Sequence, residues 1–88
     1  MRESLIERKC CQWAKAQGWL VYKFVSPSQA GVPDRLFFKN GVIRFVEFKA
    51  TGETLRPLQQ RIINKMREQG AIVHVADNLE DFINAFTG

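Results

Sequence analysis

The dipeptide Asn40-Gly41 constrains this chain more than any other feature, because it sets the register of everything around it. Asn-Gly favours positive φ at both central positions of a type I′ turn, the tightest connection between antiparallel strands. With Asn40 and Gly41 as the loop, Lys39 pairs with Val42, Phe38 faces Ile43, Leu36 faces Phe45 and Asp34 faces Glu47. Side chains alternate between the faces of a strand. Asp34, Leu36 and Phe38 therefore share a face with Ile43, Phe45, Glu47 and Lys49. Counted outward from the turn, Asp34 and Glu47 form a non-hydrogen-bonded pair, the kind whose side chains stand closest. The shared face is apolar near the turn and charged at its far end. Like charges directly opposite are destabilising, so the pairing calls for a compensating cation.

Geometry alone leaves two identities for that cation open. One is the Lys49 ammonium, in an ion pair on a solvated strand. The other is a hard divalent ion, Mg²⁺ or Mn²⁺, for which carboxylate oxygens and a partly hydrated octahedron are the expected surroundings. Such an ion polarises phosphoryl oxygens and acidifies water. Lys49 would then be placed to position the attacking water or to stabilise charge on the phosphate.

The remaining elements follow from periodicity and punctuation. Ser4 to Gln17 reads as a helix, with Ser4 and Glu7 as a capping box, an apolar stripe of Ile6, Cys10, Trp13 and Ala14, and Gly18 as its stop. Trp19 to Val25 reads as a strand and Ser26 to Val32 as a loop. The hairpin covers about Asp34 to Ala50. Thr54 is placed to cap a second helix that carries Pro57 in its first turn and ends at Gly70. Ala71 to Ala76 reads as a strand, and Asp77 or Asn78 as the cap of a last helix, Leu79 to Phe86. The order αβββαβα predicts an α/β domain with a four-stranded mixed sheet and a short C-terminal helix.

Composition narrows the class. A chain of 88 residues suits a single domain, 1–88, near the lower limit for a core without staples. Seven phenylalanines and 45% hydrophobic residues suffice for that core, and dimerisation would relieve any shortfall in buried surface. A formal net charge of +4 suits a polyanionic partner. Cys10 and Cys11 are adjacent, which is the wrong spacing for a redox or zinc motif, and they read as reduced thiols of an intracellular, cytoplasmic protein. Met1-Arg2-Glu3-Ser4 leads straight into charged amphipathic sequence, with no signal peptide, and no apolar run approaches the ~20 residues of a membrane span.

Pro33-Asp34, twelve intervening residues and Glu47-Phe48-Lys49 resemble the PD-(D/E)XK nuclease signature, whose core is αβββαβ. More narrowly the chain resembles the VRR-Nuc family, the virus-type replication-repair nucleases. The stretches that carry the likeness are Lys23-Phe24-Val25-Ser26-Pro27, Gly31-Val32-Pro33-Asp34-Arg35, Phe45-Val46-Glu47-Phe48-Lys49-Ala50, Arg56-Pro57-Leu58-Gln59 and the strand from Gly70-Ala71 to Val75. The resemblance implies Asp34, Glu47 and the Phe48 carbonyl as metal ligands, with Lys49 as the catalytic lysine. It implies Glu7 as the acid contributed by the first helix, Glu3 being the alternative, and Gln59 as a helper to Lys49 or to the water.

Lys23, Ser26 and Arg35 border that site, and Arg56, Arg61, Lys65 and Arg67 form a basic group on the second helix suited to DNA phosphates. His74, Trp13 and Trp19 read as structural. The function implied is a Mg²⁺- or Mn²⁺-dependent DNA endonuclease without organic cofactor. Stand-alone members of the family are associated with homodimers that act on branched DNA, Holliday junctions in particular. The alternative is a non-catalytic DNA-binding subunit that keeps the fold.

Overall fold

In the computed structural model, which describes residues 1–87, the Asn-Gly turn does what its chemistry demands. Asn40 and Gly41 take φ of 50° and 80°. Lys39 pairs with Val42, Phe38 with Ile43, Leu36 with Phe45 and Arg35 with Val46, as the turn predicts. The elements in chain order are α1 (Glu3–Ala16), β1 (Leu20–Lys23), β2 (Arg35–Lys39), β3 (Val42–Phe48), α2 (Pro57–Glu68), β4 (Ile72–Ala76) and α3 (Leu79–Thr87). They form one four-stranded sheet in the order β1-β2-β3-β4. The first three strands are antiparallel, and β4 lies parallel to β3. A parallel neighbour cannot be reached by a tight turn, and α2 supplies the crossover.

The two sheet faces are covered unequally. On one, Phe37, Val46 and Phe48 are wholly buried with Ile6, Cys10 and Ala14 of α1 and with Phe82 and Phe86 of α3. Phe82 and Phe86 stack at 4.2 Å between centroids, and Trp19 packs edge-on against Phe37 and Phe86. Trp13 meets Phe82 at 6.0 Å, so both tryptophans belong to this packing. Cys10 and Cys11 are buried free thiols, and burial pushes the Cys10 thiol up to about 12, which leaves it inert. His74 contacts the Phe86 ring at 5.2 Å, and burial together with the nearby Arg44 and Arg67 lowers its pKa.

The opposite face carries α2, which turns Ile62 and Ile63 inward. That helix covers only part of the face. Leu20, Tyr22 and Ile43 are left 50%, 56% and 49% exposed. Among the described residues, no helix is long and apolar enough to cross a membrane.

Element ends depart from expectation where a tertiary partner outbids a local one. Helix α1 begins at Glu3 with an extended Arg2 before it, so Ser4 already lies inside the helix and the Ser4–Glu7 capping box does not form. The Glu7 carboxylate instead meets Arg35, a charge-assisted partner stronger than a backbone amide. Strand β1 stops at Lys23 rather than Val25, and the next amide, Phe24, donates to the Asp34 carbonyl at 2.9 Å. Helix α2 starts at Pro57 behind Arg56, not Thr54, because Gln59 Oε1 accepts the Arg56 N–H at 3.0 Å. Between Asp77 and Asn78, it is Asn78 that caps α3, accepting from the Asp81 amide at 2.8 Å.

One glycine matters directly to the site. Gly31 holds φ of +88°, and a Cβ there would stand 3.1 Å from Leu58 Cγ and 3.3 Å from Ile62 Cγ1 of α2. The loop before the buried Pro33 therefore lies against α2 so closely that a side chain at Gly31 would make Leu58 and Ile62 shift by a few tenths of an ångström. Gly31→Ala adds a left-handed backbone penalty to crowding, and is expected to cost about 2–4 kcal/mol. Urea unfolding followed by circular dichroism measures that cost. A midpoint unchanged from wild type would show that the loop does not need this approach.

Candidate active site

The charged side chains gather at the open end of the β2–β3 hairpin. The ladder closes at Arg35–Val46, and Asp34 leaves it: its N–H donates to the Val46 carbonyl at 3.0 Å. Asp34 and Glu47 are thus not the paired rung that register alone predicts. Freed from the ladder, the Asp34 side chain turns back over β3 and Oδ2 accepts the Phe48 N–H at 2.9 Å. Burial raises the Asp34 pKa; the Phe48 amide opposes that, and the Glu7 charge adds to it.

Glu47 is the most constrained charge in the molecule. It is 3% exposed, Oε2 accepts from Gln59 Nε2 at 3.1 Å, and Lys49 Nζ lies 3.7 Å from the same oxygen. Oε1 is buried with no hydrogen-bond partner. Burial, and then the charge of Asp34, push its carboxyl up to about 7, against the pull of Lys49. Lys49 is itself 5% exposed, with its backbone N–H on the Ala76 carbonyl at 2.9 Å. A buried carboxylate with a lone oxygen and one distant ammonium is poorly compensated.

Gln59 serves twice: its Oε1 fixes the start of α2, and its Nε2 reaches Glu47. The helix cap thus aims the amide into the site. On α1, Glu7 Oε2 accepts from Arg35 Nε at 2.6 Å and faces Asp34. Glu3, one turn earlier, is the acid whose charge is felt by Glu47, and it interacts with Asp34 and Lys49 in turn. Both acids flank Asp34, but Glu7 is tied to Arg35 and Glu3 is not.

The basic residues divide. Lys23 is the ladder partner of Arg35 and shares its face at the rim of the site, with Ser26 close behind in the loop. Arg56 sits at the start of α2 beside Gln59. Arg61 is two positions past Gln59, about 200° around the helix, and lines an outer cleft with Gln60, Asn64 and Lys65. Arg67 is spent on the Val73 carbonyl, 2.6 Å away. One residue missed as a site element is Asp77. It accepts the Gly52 N–H at 3.0 Å and so pins the turn that follows Lys49. Sequence offered only a cap candidate there.

A family model of the VRR-NUC domain matches residues 4–78. The chain belongs to that family. As a VRR-NUC domain it is a member of a nuclease family, and the likeness extends to known proteins. "Putative nuclease p44" of Acyrthosiphon pisum secondary endosymbiont phage 1 is 43% identical over 79 residues, covering 89% of this chain and 85% of that protein. A solved VRR_NUC domain structure superposes with a TM-score of 0.87 at 29% identity, covering 96% of this chain and 92% of the other. The expected mixed sheet and helix order of the VRR-NUC fold are therefore confirmed in full.

Proposed function

We propose that this VRR-NUC domain is a divalent-metal-dependent DNA endonuclease that acts as a homodimer on branched DNA. The observation that carries the reading is Glu47 Oε1, a buried carboxylate oxygen with no donor, beside a second carboxylate, Asp34. Burying such a group costs several kcal/mol unless a cation compensates it. Among the described residues no three His, Cys, Asp or Glu side chains are grouped so as to hold a metal. Mg²⁺ does not require such a group, since it is commonly held by one or two carboxylates and keeps several waters.

Asp34 and Glu47 would hold the ion, with the Phe48 carbonyl as a further ligand and an acid of α1, Glu7 or Glu3, contributing through water. Bound there, the ion supplies Lewis-acid polarisation of the scissile phosphate and lowers the pKa of water. Lys49 stabilises negative charge that develops on the phosphate, from a site dry enough to make that charge interaction strong. Gln59 holds Glu47 by one amide hydrogen and keeps the carboxylate aimed at the ion.

The uncovered apolar sheet face supports the dimer. Leu20, Tyr22 and Ile43 lie on one face with the partly buried Leu36 and Phe38. A contiguous exposed apolar patch of this kind is uncommon on a monomer. A second copy laid on it would put two centres in one particle, suited to paired cuts across a symmetric junction.

Purified protein incubated with a labelled four-way junction or linear duplex, with Mg²⁺, Mn²⁺ or EDTA, tests the reading. Cleavage of the junction with either metal and none in EDTA is expected. Folded protein that binds the junction but cuts no DNA with either metal would instead support a non-catalytic binding subunit. Light scattering at micromolar concentration addresses assembly: a dimer is expected, and Tyr22→Glu should yield monomer.

A further inference from the structure

Beside the metal-binding face, α1 and Arg35 enclose a shallow polar cleft of about 280 Å³. Ser4, Arg8, Gln12 and Lys15 line it at spacings of four, four and three residues, which places them on one stripe of the helix. All four are exposed. The stripe starts next to Glu3, hence next to Asp34 and Lys49, and runs about 16 Å along the helix. Its other wall is Arg35, whose Nε is taken by Glu7. No hydrogen bond engages the two terminal nitrogens of that guanidinium among the described residues. Lys23, across the ladder from Arg35, adds a further cation to the rim.

We propose that this cleft is the track for the DNA strand next to the scissile phosphate. Arg8, Lys15 and the free edge of Arg35 bind consecutive backbone phosphates, while Ser4 and Gln12 supply neutral hydrogen bonds between them. The proposal rests on the nuclease reading of the adjacent centre and adds the path of the substrate to it. Three cations against Glu7 leave the cleft net positive, and a row of phosphates is the polyanion whose spacing a helical stripe can follow. The Glu7–Arg35 pair fixes the guanidinium plane and couples the track to Asp34. The basic residues on the outer face of α2 point away from Gln59, so α1 and not α2 carries the strand.

Lys9 provides an internal control. It sits on the same helix, is exposed, carries the same charge and does not line the cleft. Fluorescence anisotropy with a labelled four-way junction, in EDTA and at stepped salt concentrations, reads binding without cleavage. Arg8→Gln and Lys15→Gln are each expected to weaken binding by roughly three- to tenfold and to flatten the slope of log K against log salt by about 0.9. Lys9→Gln should leave that slope as in wild type. Circular dichroism checks that each variant is folded. Equal slopes for wild type, Arg8→Gln and Lys15→Gln overturn the proposal, as does an equal loss in Lys9→Gln or a wild type that binds no DNA at low salt. A wild type that binds with the expected slope but never cleaves with metal overturns the nuclease reading and leaves the track standing.

Discussion

Exchange of Lys49 for methionine is expected to slow metal-dependent cleavage by roughly 10²–10³-fold, the effect of removing one preorganised charge-stabilising group. Methionine keeps the length and most of the volume of the side chain, so the fold should survive at a site that is only 5% exposed. What disappears is the ammonium 3.7 Å from Glu47 Oε2. Since Lys49 is only 5% exposed, DNA binding measured in EDTA should change little. Single-turnover cleavage at saturating enzyme separates the two quantities. A rate within tenfold of wild type would remove Lys49 from the chemistry and return it to the role of an ion-pair partner.

The second large effect combines function and stability at Glu47. Glu47→Gln is expected to abolish cleavage, because the neutral amide lacks the charge that, in the proposed centre, would hold the cation. The same change should make the metal-free protein more stable at alkaline pH. In the folded state the Glu47 carboxyl is raised from 4.5 to about 7 by burial and by Asp34. Below pH 4.5 both folded and unfolded chains hold the proton, and its contribution to stability is fully present. Between 4.5 and about 7 the unfolded chain has released the proton and the folded one has not, so stability falls as pH rises. The loss is on the order of 1.4 kcal/mol per pH unit and levels off above the folded value.

The raised Asp34 and Glu3 carboxyls act with the same sign. Thermal unfolding in EDTA from pH 4.5 to 9 should therefore show wild type falling more steeply than Glu47→Gln. Added Mg²⁺ should recover stability in wild type and much less in the variant, since a ligand that binds only the folded state stabilises it by mass action. Parallel pH curves with no response to Mg²⁺ would show that Glu47 is neither strained nor a ligand.

Much of the fold could be read before any coordinates. The Asn-Gly turn aligned β2 with β3 residue by residue, because a two-residue loop leaves no slack in register. Helix and strand identities followed from period, and Gly18, Gly41 and Gly70, each at positive φ, ended or turned elements as expected. The errors lie at ends. Local capping candidates at Ser4 and Thr54 lost to partners distant in sequence or to the amide of Gln59. A propensity rule cannot know that Arg35 will stand within 2.6 Å of Glu7.

The site shows the same division. Strand parity gives the face of Glu47, while Asp34 reaches β3 outside the ladder, through the Val46 carbonyl and the Phe48 amide; family motifs point to Gln59 and to an acid of the first helix. A 100° step per residue sets Arg61 away from Gln59, and the structure places it on the outer cleft of α2. The departure of Asp34 from the ladder is not legible in the sequence, since it shows only in its hydrogen bonds to Val46 and Phe48.

Local pattern settled the hairpin, its register from Arg35 to Val46 and the face on which Glu47 lies, because those follow from bond geometry and a period of two. The packed molecule alone decided how buried Glu47 is, which oxygen it leaves without a partner, and where α1 lays its basic stripe. Those depend on the rotation of α1 and α2 about their axes. That rotation is set by Ile6, Cys10 and Ala14 on one side of the sheet and by Ile62 and Ile63 on the other, in contacts between residues far apart in the chain.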